Sequence, residues 1–144
     1  FGMIGGQTAD VEMTGKPVPE DMLSFIYRLK TGALLEASMM IGAVLGGADD
    51  QEAGKVEQAA ADVGMAFQIR DDILDVVSTQ EVLGKPVGSD ERNEKSTFVT
   101  AWGMERAKAA VEEYSDRAIE TLSSLPGKNE FLNRLLIYLI TREK

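Results

Sequence analysis

Apolar residues recur at i, i+3, i+4 and i+7 over most of the chain, and no segment shows the alternation of a half-buried strand, so the pattern predicts an almost wholly helical protein. Pro17 and Pro19 mark a turn and a helix start, and Glu20 and Asp21 put acids in the first turn, where the helix dipole favours them. That helix runs to about Leu45, with Leu23, Ile26, Tyr27, Leu34, Leu35, Ala37 and Ser38 on its apolar face and Lys30-Thr31-Gly32 as a polar, weakly helical interruption. Gly46-Gly47 ends it. Asp49-Asp50 opens the next helix, whose apolar positions Val56, Ala59, Ala60, Val63, Phe67 and Ile69 carry it to about Val77. Residues 78–94 turn polar, with Gly84, Pro86, Gly88 and Asn93, and read as a long loop. A short helix over 96–102, a long solvated one over 105–123 and a last one from about Asn129 complete the chain, the latter two parted by Pro126-Gly127. Met39, Met40, Met65, Met104 and Trp102 are assigned to packing.

A chain of 144 residues with 44% hydrophobic content can bury a core, and no stretch reaches the roughly 18 apolar residues that a membrane helix needs. There is no cysteine and no histidine. This removes disulfides, thiolate nucleophiles, Cys-based zinc sites, the usual neutral-pH acid/base group and the Glu-x-x-His ligands of a di-iron bundle. It also fits a cytoplasmic protein. The net charge of −9 argues against nucleic acid as a partner. The same charge repels phosphates, unless divalent cations sit between carboxylates and phosphate oxygens.

The sharpest feature is Phe67-Gln68-Ile69-Arg70-Asp71-Asp72-Ile73-Leu74-Asp75. On a helix Asp71 and Asp75 share a face, Asp72 lies three before Asp75, and Gln68 joins them, so the spacing reads as three converging carboxylates. Clustered acids oppose helix formation unless something binds them, and magnesium suits an open aspartate face that leaves room for waters and phosphate oxygens. The plainer alternative is a solvated acidic face, although the apolar neighbours Phe67, Ile69, Ile73 and Leu74 make one less expected. Lys30 and Thr31 read either as a cation and hydroxyl facing the aspartates or as a lysine snorkelling from an amphipathic helix. Lys85 and Lys95 flank the glycine-containing loop, where they could neutralise a leaving group or belong to an ordinary exposed connection. Gln7 and Asp10, three apart, read as a hydrogen-bonding pair.

Taken in order, GGQTAD, KTGALLEAS, FQIRDDILD and GKPVGSDERNEKST resemble the successive C-terminal motifs of the trans-prenyl diphosphate synthases, in particular bacterial short-chain farnesyl diphosphate synthases. The resemblance covers nearly the whole chain. It implies an all-α bundle of the isoprenoid synthase type, of which residues 1–144 are the C-terminal part. The second aspartate-rich motif is present, while the first motif and the basic residues that bind isopentenyl diphosphate are absent. Asp71, Asp72 and Asp75 match the acids that hold magnesium, or manganese in its place, on an allylic diphosphate. Lys30 and Lys85 match diphosphate-contacting lysines, and Lys95 matches another lysine near that site. Thr31 and Gln68 match polar residues lining the place where allylic cation character develops. Gln7 and Asp10 match the helix facing the first aspartate motif, and Phe67 matches the aromatic close to the homoallylic substrate. The implied reaction joins an allylic diphosphate to isopentenyl diphosphate in a cytoplasmic homodimer. Residues 1–144 alone are then expected to be inactive, and product length lies beyond their reach. Two other readings stand beside this one. A class I terpene cyclase would carry a different second metal motif, and a noncatalytic helical module would bind no diphosphate.

Overall fold

A computed structural model describes residues 2–83, 96–127 and 130–141, and their side chains except at 78–83 and 140. Every regular element among the described residues is helical: α1 (Gly2–Glu12), α2 (Glu20–Tyr27), a π-helical turn (Arg28–Gly32), α3 (Ala33–Leu45), α4 (Asp50–Leu83), α5 (Phe98–Trp102), α6 (Met104–Ser123) and α7 (Glu130–Thr141). The all-α architecture expected from the pattern is thus the one observed among the described residues.

The 34-residue α4 is the axis, about 50 Å long at 1.5 Å per residue, with α6 and α3 as its main neighbours. Its start is fixed by a capping box: the Glu52 amide donates to Asp49 Oδ1 at 2.8 Å and the Asp49 amide donates to Glu52 Oε2 at 3.0 Å. The helix continues six residues past the expected Val77, because 78–83 contain no glycine or proline and Gln80, Glu81 and Leu83 are good helix formers.

Two apolar clusters run along α4. Leu23, Ile26, Tyr27, Ala66, Ile69, Ile73, Phe98, Ala107, Ala110 and Val111 form the larger, with Met65, Trp102 and Met104 against it. Ala59, Val63, Ala118, Leu122 and Leu136 form the smaller, with Leu35 and Met39 at its edge. Alanines on both α4 and α6 let the two helices approach closely, and Arg117 of α6 bridges to the buried Asp62 of α4 with its Nε and Nη2.

Beyond Tyr27 the expected apolar face of this helix holds at Leu35, which packs against the smaller cluster, but not at its other positions. Leu34, Ala37 and Ser38 are not buried, and α3 contains no buried residue. The π-turn inserts one residue, which rotates α3 by about 100° relative to a continuous α-helix. The packed positions are accordingly Leu35 and Met39, both expected inside, while Leu34 and Ser38, drawn on the same face, are left outside. Leu34, Ile41, Val44 and Leu45 of α3 point to solvent, as do Ile4 and Val11 of α1.

Backbone-to-backbone contacts clamp this turn on both sides. A Cβ at Gly6 of α1 would fall on the Lys30 amide nitrogen and lie 2.8 Å from the Leu29 carbonyl carbon; one at Gly64 of α4 would lie 2.9 Å from Gly32 Cα. Gly6→Ala therefore meets backbone rather than a flexible side chain that could move aside. It is expected to cost about 1–3 kcal/mol, measurable as a lowered denaturation midpoint at unchanged slope.

Candidate active site

The π-turn brings α1, α2 and α4 together at one place. Lys30 Nζ lies 2.8 Å from Asp10 Oδ2, with both side chains half-buried or better. Thr31 Oγ1 donates to Gln68 Oε1 at 2.7 Å. Four residues singled out in the sequence thus meet in two pairs, from α1 to the turn and from the turn to α4. Gln7 is exposed on α1, and Phe67 is half-buried on α4. Lys85 and Lys95 lie outside the described residues.

The three aspartates do not share one environment. Asp71 is half-buried and Asp75 exposed, whereas Asp72 is only 6% exposed. The Asp72 carboxylate turns toward α2 and α5, where its Oδ2 accepts a short hydrogen bond from the Tyr27 hydroxyl and another, 3.0 Å long, from the Phe98 amide. The same Phe98 amide also donates to the Tyr27 oxygen at 3.0 Å. Among the described residues no three acids are grouped to hold a metal, so the convergence read from spacing does not form as a ready-made cage.

Burial pushes the Asp72 carboxyl above the ordinary range; hydrogen bonds from Tyr27, Phe98 and Gln68 work against that rise, and the Asp75 charge adds to it. Burial likewise pushes the Tyr27 phenol up, with Asp72's charge reinforcing the effect. Gln68 accepts from Thr31 and lies near enough to Asp72 for its amide to favour the carboxylate. The chain Thr31–Gln68–Asp72–Tyr27 joins the π-turn, the aspartate helix and α2. Periodicity assigns Tyr27 to the apolar face and nothing more. A tyrosine buried there needs a partner for its hydroxyl, and that need is the signal in the sequence for its second role.

Comparison with known proteins shows the family. The sequence matches the polyprenyl synthetase family over residues 1–132. The chain belongs to the polyprenyl synthetase family. A farnesyl diphosphate synthase of Geobacillus stearothermophilus is 46% identical over 107 residues, covering 74% of this chain and 36% of that protein. The farnesyl diphosphate synthase of Escherichia coli strain K12 is 40% identical over 147 residues, covering 99% and 49%. Among solved structures, a Helicobacter pylori geranyltransferase complexed with magnesium and isoprenyl diphosphate superposes with a TM-score of 0.74 at 31% identity, covering 96% of this chain and 46% of that one. The chain therefore spans about half or less of the length of these synthases. No described helix is long and apolar enough to cross a membrane.

Asp71 and Asp75, one helical turn apart and with only oxygen donors, fit an open magnesium position that waters and phosphate oxygens would complete, as this polyprenyl synthetase chain's family resemblance implies. They do not fit a closed protein cage, since Asp72 is turned away.

Proposed function

We propose that this chain is the second-aspartate-motif half of a trans-prenyl diphosphate synthase that joins an allylic diphosphate to isopentenyl diphosphate and releases diphosphate. The observation that carries the reading is the juxtaposition at the π-turn of Lys30 with Asp10 and of Thr31 with Gln68, one turn before Asp71. An ammonium, two hydroxyl or amide dipoles and an acid face are what ionisation of an allylic diphosphate requires. The exposed apolar residues of α1 and α3 and the partial coverage of the relatives support a longer fold around this half, which would supply the first aspartate motif.

In the proposed reaction the allylic C–O bond breaks, the isopentenyl double bond attacks the allylic carbon, and the resulting cation loses a proton to the released diphosphate. Lys30 exchanges Asp10 for a diphosphate oxygen and holds the leaving group. The Thr31 hydroxyl fixes the Gln68 amide with its oxygen toward the turn, a neutral dipole that favours positive charge without offering a nucleophile. Phe67, on the same helix, contributes apolar surface that excludes water. Lys85 and Lys95 are proposed as further diphosphate contacts, and Gln7 as a substrate-side residue of α1. Asp71 and Asp75 would hold magnesium, or manganese, which would supply positive charge to neutralise the diphosphate; Asp72 would serve the same motif from its buried position. A homodimer in the cytoplasm is part of the proposal, and the lack of cysteine supports that compartment.

Metal and diphosphate then bind together and poorly apart. Thermal melts of the complete synthase with magnesium and an allylic diphosphate, at roughly 100 times the dissociation constant, should gain about 2.7 kcal/mol. An equal gain with excess chelator present would remove the metal bridge.

A further inference from the structure

We propose that Tyr27 is the positioning residue of the aspartate motif, withdrawing Asp72 from the metal face and so leaving Asp71, with Asp75 beside it, as the pair presented to the ligand. The inference rests on the magnesium-diphosphate reading above and adds a residue to it. Tyr27 is 6% exposed, and its hydroxyl lies between the Asp72 carboxylate and the first amide of α5. Three separate elements, α2, α4 and α5, meet in this one group of hydrogen bonds. Thr97 and Thr100 cap α5 immediately beside it, with the Thr97 amide donating to Thr100 Oγ1 at 2.8 Å, so the Phe98 amide is held in place as a donor.

The geometry gives Tyr27 a task beyond filling space. Without its hydroxyl, Asp72 keeps the Phe98 amide and Gln68 but loses its partner on α2, and a carboxylate in so little water is driven to turn outward. The rotation of α4 about its own axis then loses a constraint close to Asp71 and Asp75, so that the pair is no longer held in register for the cation. Partners that orient metal-binding side chains without touching the metal commonly carry ten- to a hundredfold in affinity. Trp102 offers a direct reporter, because its ring centroid lies 4.5 Å from that of Phe98, whose amide belongs to the same group.

The experiment compares the complete synthase with its Tyr27→Phe, Asp71→Asn and Leu122→Ala variants, at a temperature well below every melting midpoint. Magnesium is titrated in turnover and, independently, in thermal shift with inorganic pyrophosphate. Tyr27→Phe is expected to raise the half-saturating magnesium roughly ten- to a hundredfold in both assays, leave KM for isopentenyl diphosphate unchanged, and alter Trp102 emission. Leu122→Ala, in the smaller core cluster, lowers the melting temperature without moving the magnesium requirement. If Tyr27→Phe behaves like Leu122→Ala while Asp71→Asn still raises the requirement, the positioning role is overturned and the site reading stands. If Asp71→Asn leaves the requirement unmoved too, the site reading itself fails.

Discussion

Asp71→Asn in the complete synthase is expected to lower turnover by about 100- to 1,000-fold, the scale lost when one group that stabilises developing charge is removed from a preorganised site. At about 100° per residue, Gln68, Asp71 and Asp75 fall within about 60° of one another around α4. Asp71 also lies on the next turn after the Gln68 amide that Thr31 holds. Asn keeps the shape and removes the charge, so the loss concentrates in kcat and in the magnesium needed for half-maximal rate. A structural acid would behave differently. Its loss would destabilise the protein by about 1–3 kcal/mol and reduce rate only in proportion to the unfolded fraction. Melting and steady-state kinetics across a magnesium titration, on one preparation, separate the two. A variant that melts early yet turns over normally when folded would take Asp71 out of the site.

The helical pattern made most of the fold legible, and the places where it misled are physical. A 3.6-residue period cannot register a π-turn, so the apolar face drawn through 20–45 took in Leu34, Ala37 and Ser38 beside Leu35, and of these only Leu35 packs. The glycines at 6 and 64 look in sequence like weak helix positions, and only the close approach of two backbones gives them meaning. At the site, spacing alone grouped Lys30 with Thr31 and Gln68 with Asp71 and set Asp71 and Asp75 on one face, but it counted Asp72 among the converging carboxylates. The same angular count puts Asp72 only about 60° from Ile69, on the flank of the buried stripe. Which way such a flanking acid turns depends on what faces it, and here Tyr27 and the Phe98 amide come from segments 45 residues before and 26 after.

Ile69→Ala is the complementary change and should destabilise the fold more than either Gly6→Ala or Asp71→Asn, by about 2–5 kcal/mol. Ile69 is fully buried in the larger cluster, where α2, α4 and α6 meet around Leu23, Ile26 and Ala107. Alanine would remove the branched side chain and leave a cavity that α4 cannot close. Its other core-facing positions, Ala66 and Ile73, fix the distance to α6 on either side of the gap. Around the helix Ile69 stands about 160° from Asp71, so the cavity opens on the side opposite the metal face. The expected result is a lowered urea midpoint with magnesium requirement and kcat per folded molecule within a few-fold of the parent, the mirror image of Asp71→Asn. Because the two residues face opposite sides, their effects should combine nearly additively, to within about 0.5 kcal/mol. Urea melts of the single and double variants read this directly. A coupling well beyond that value would mean that the core reaches the aspartate face through Asp72, the one acid that borders both.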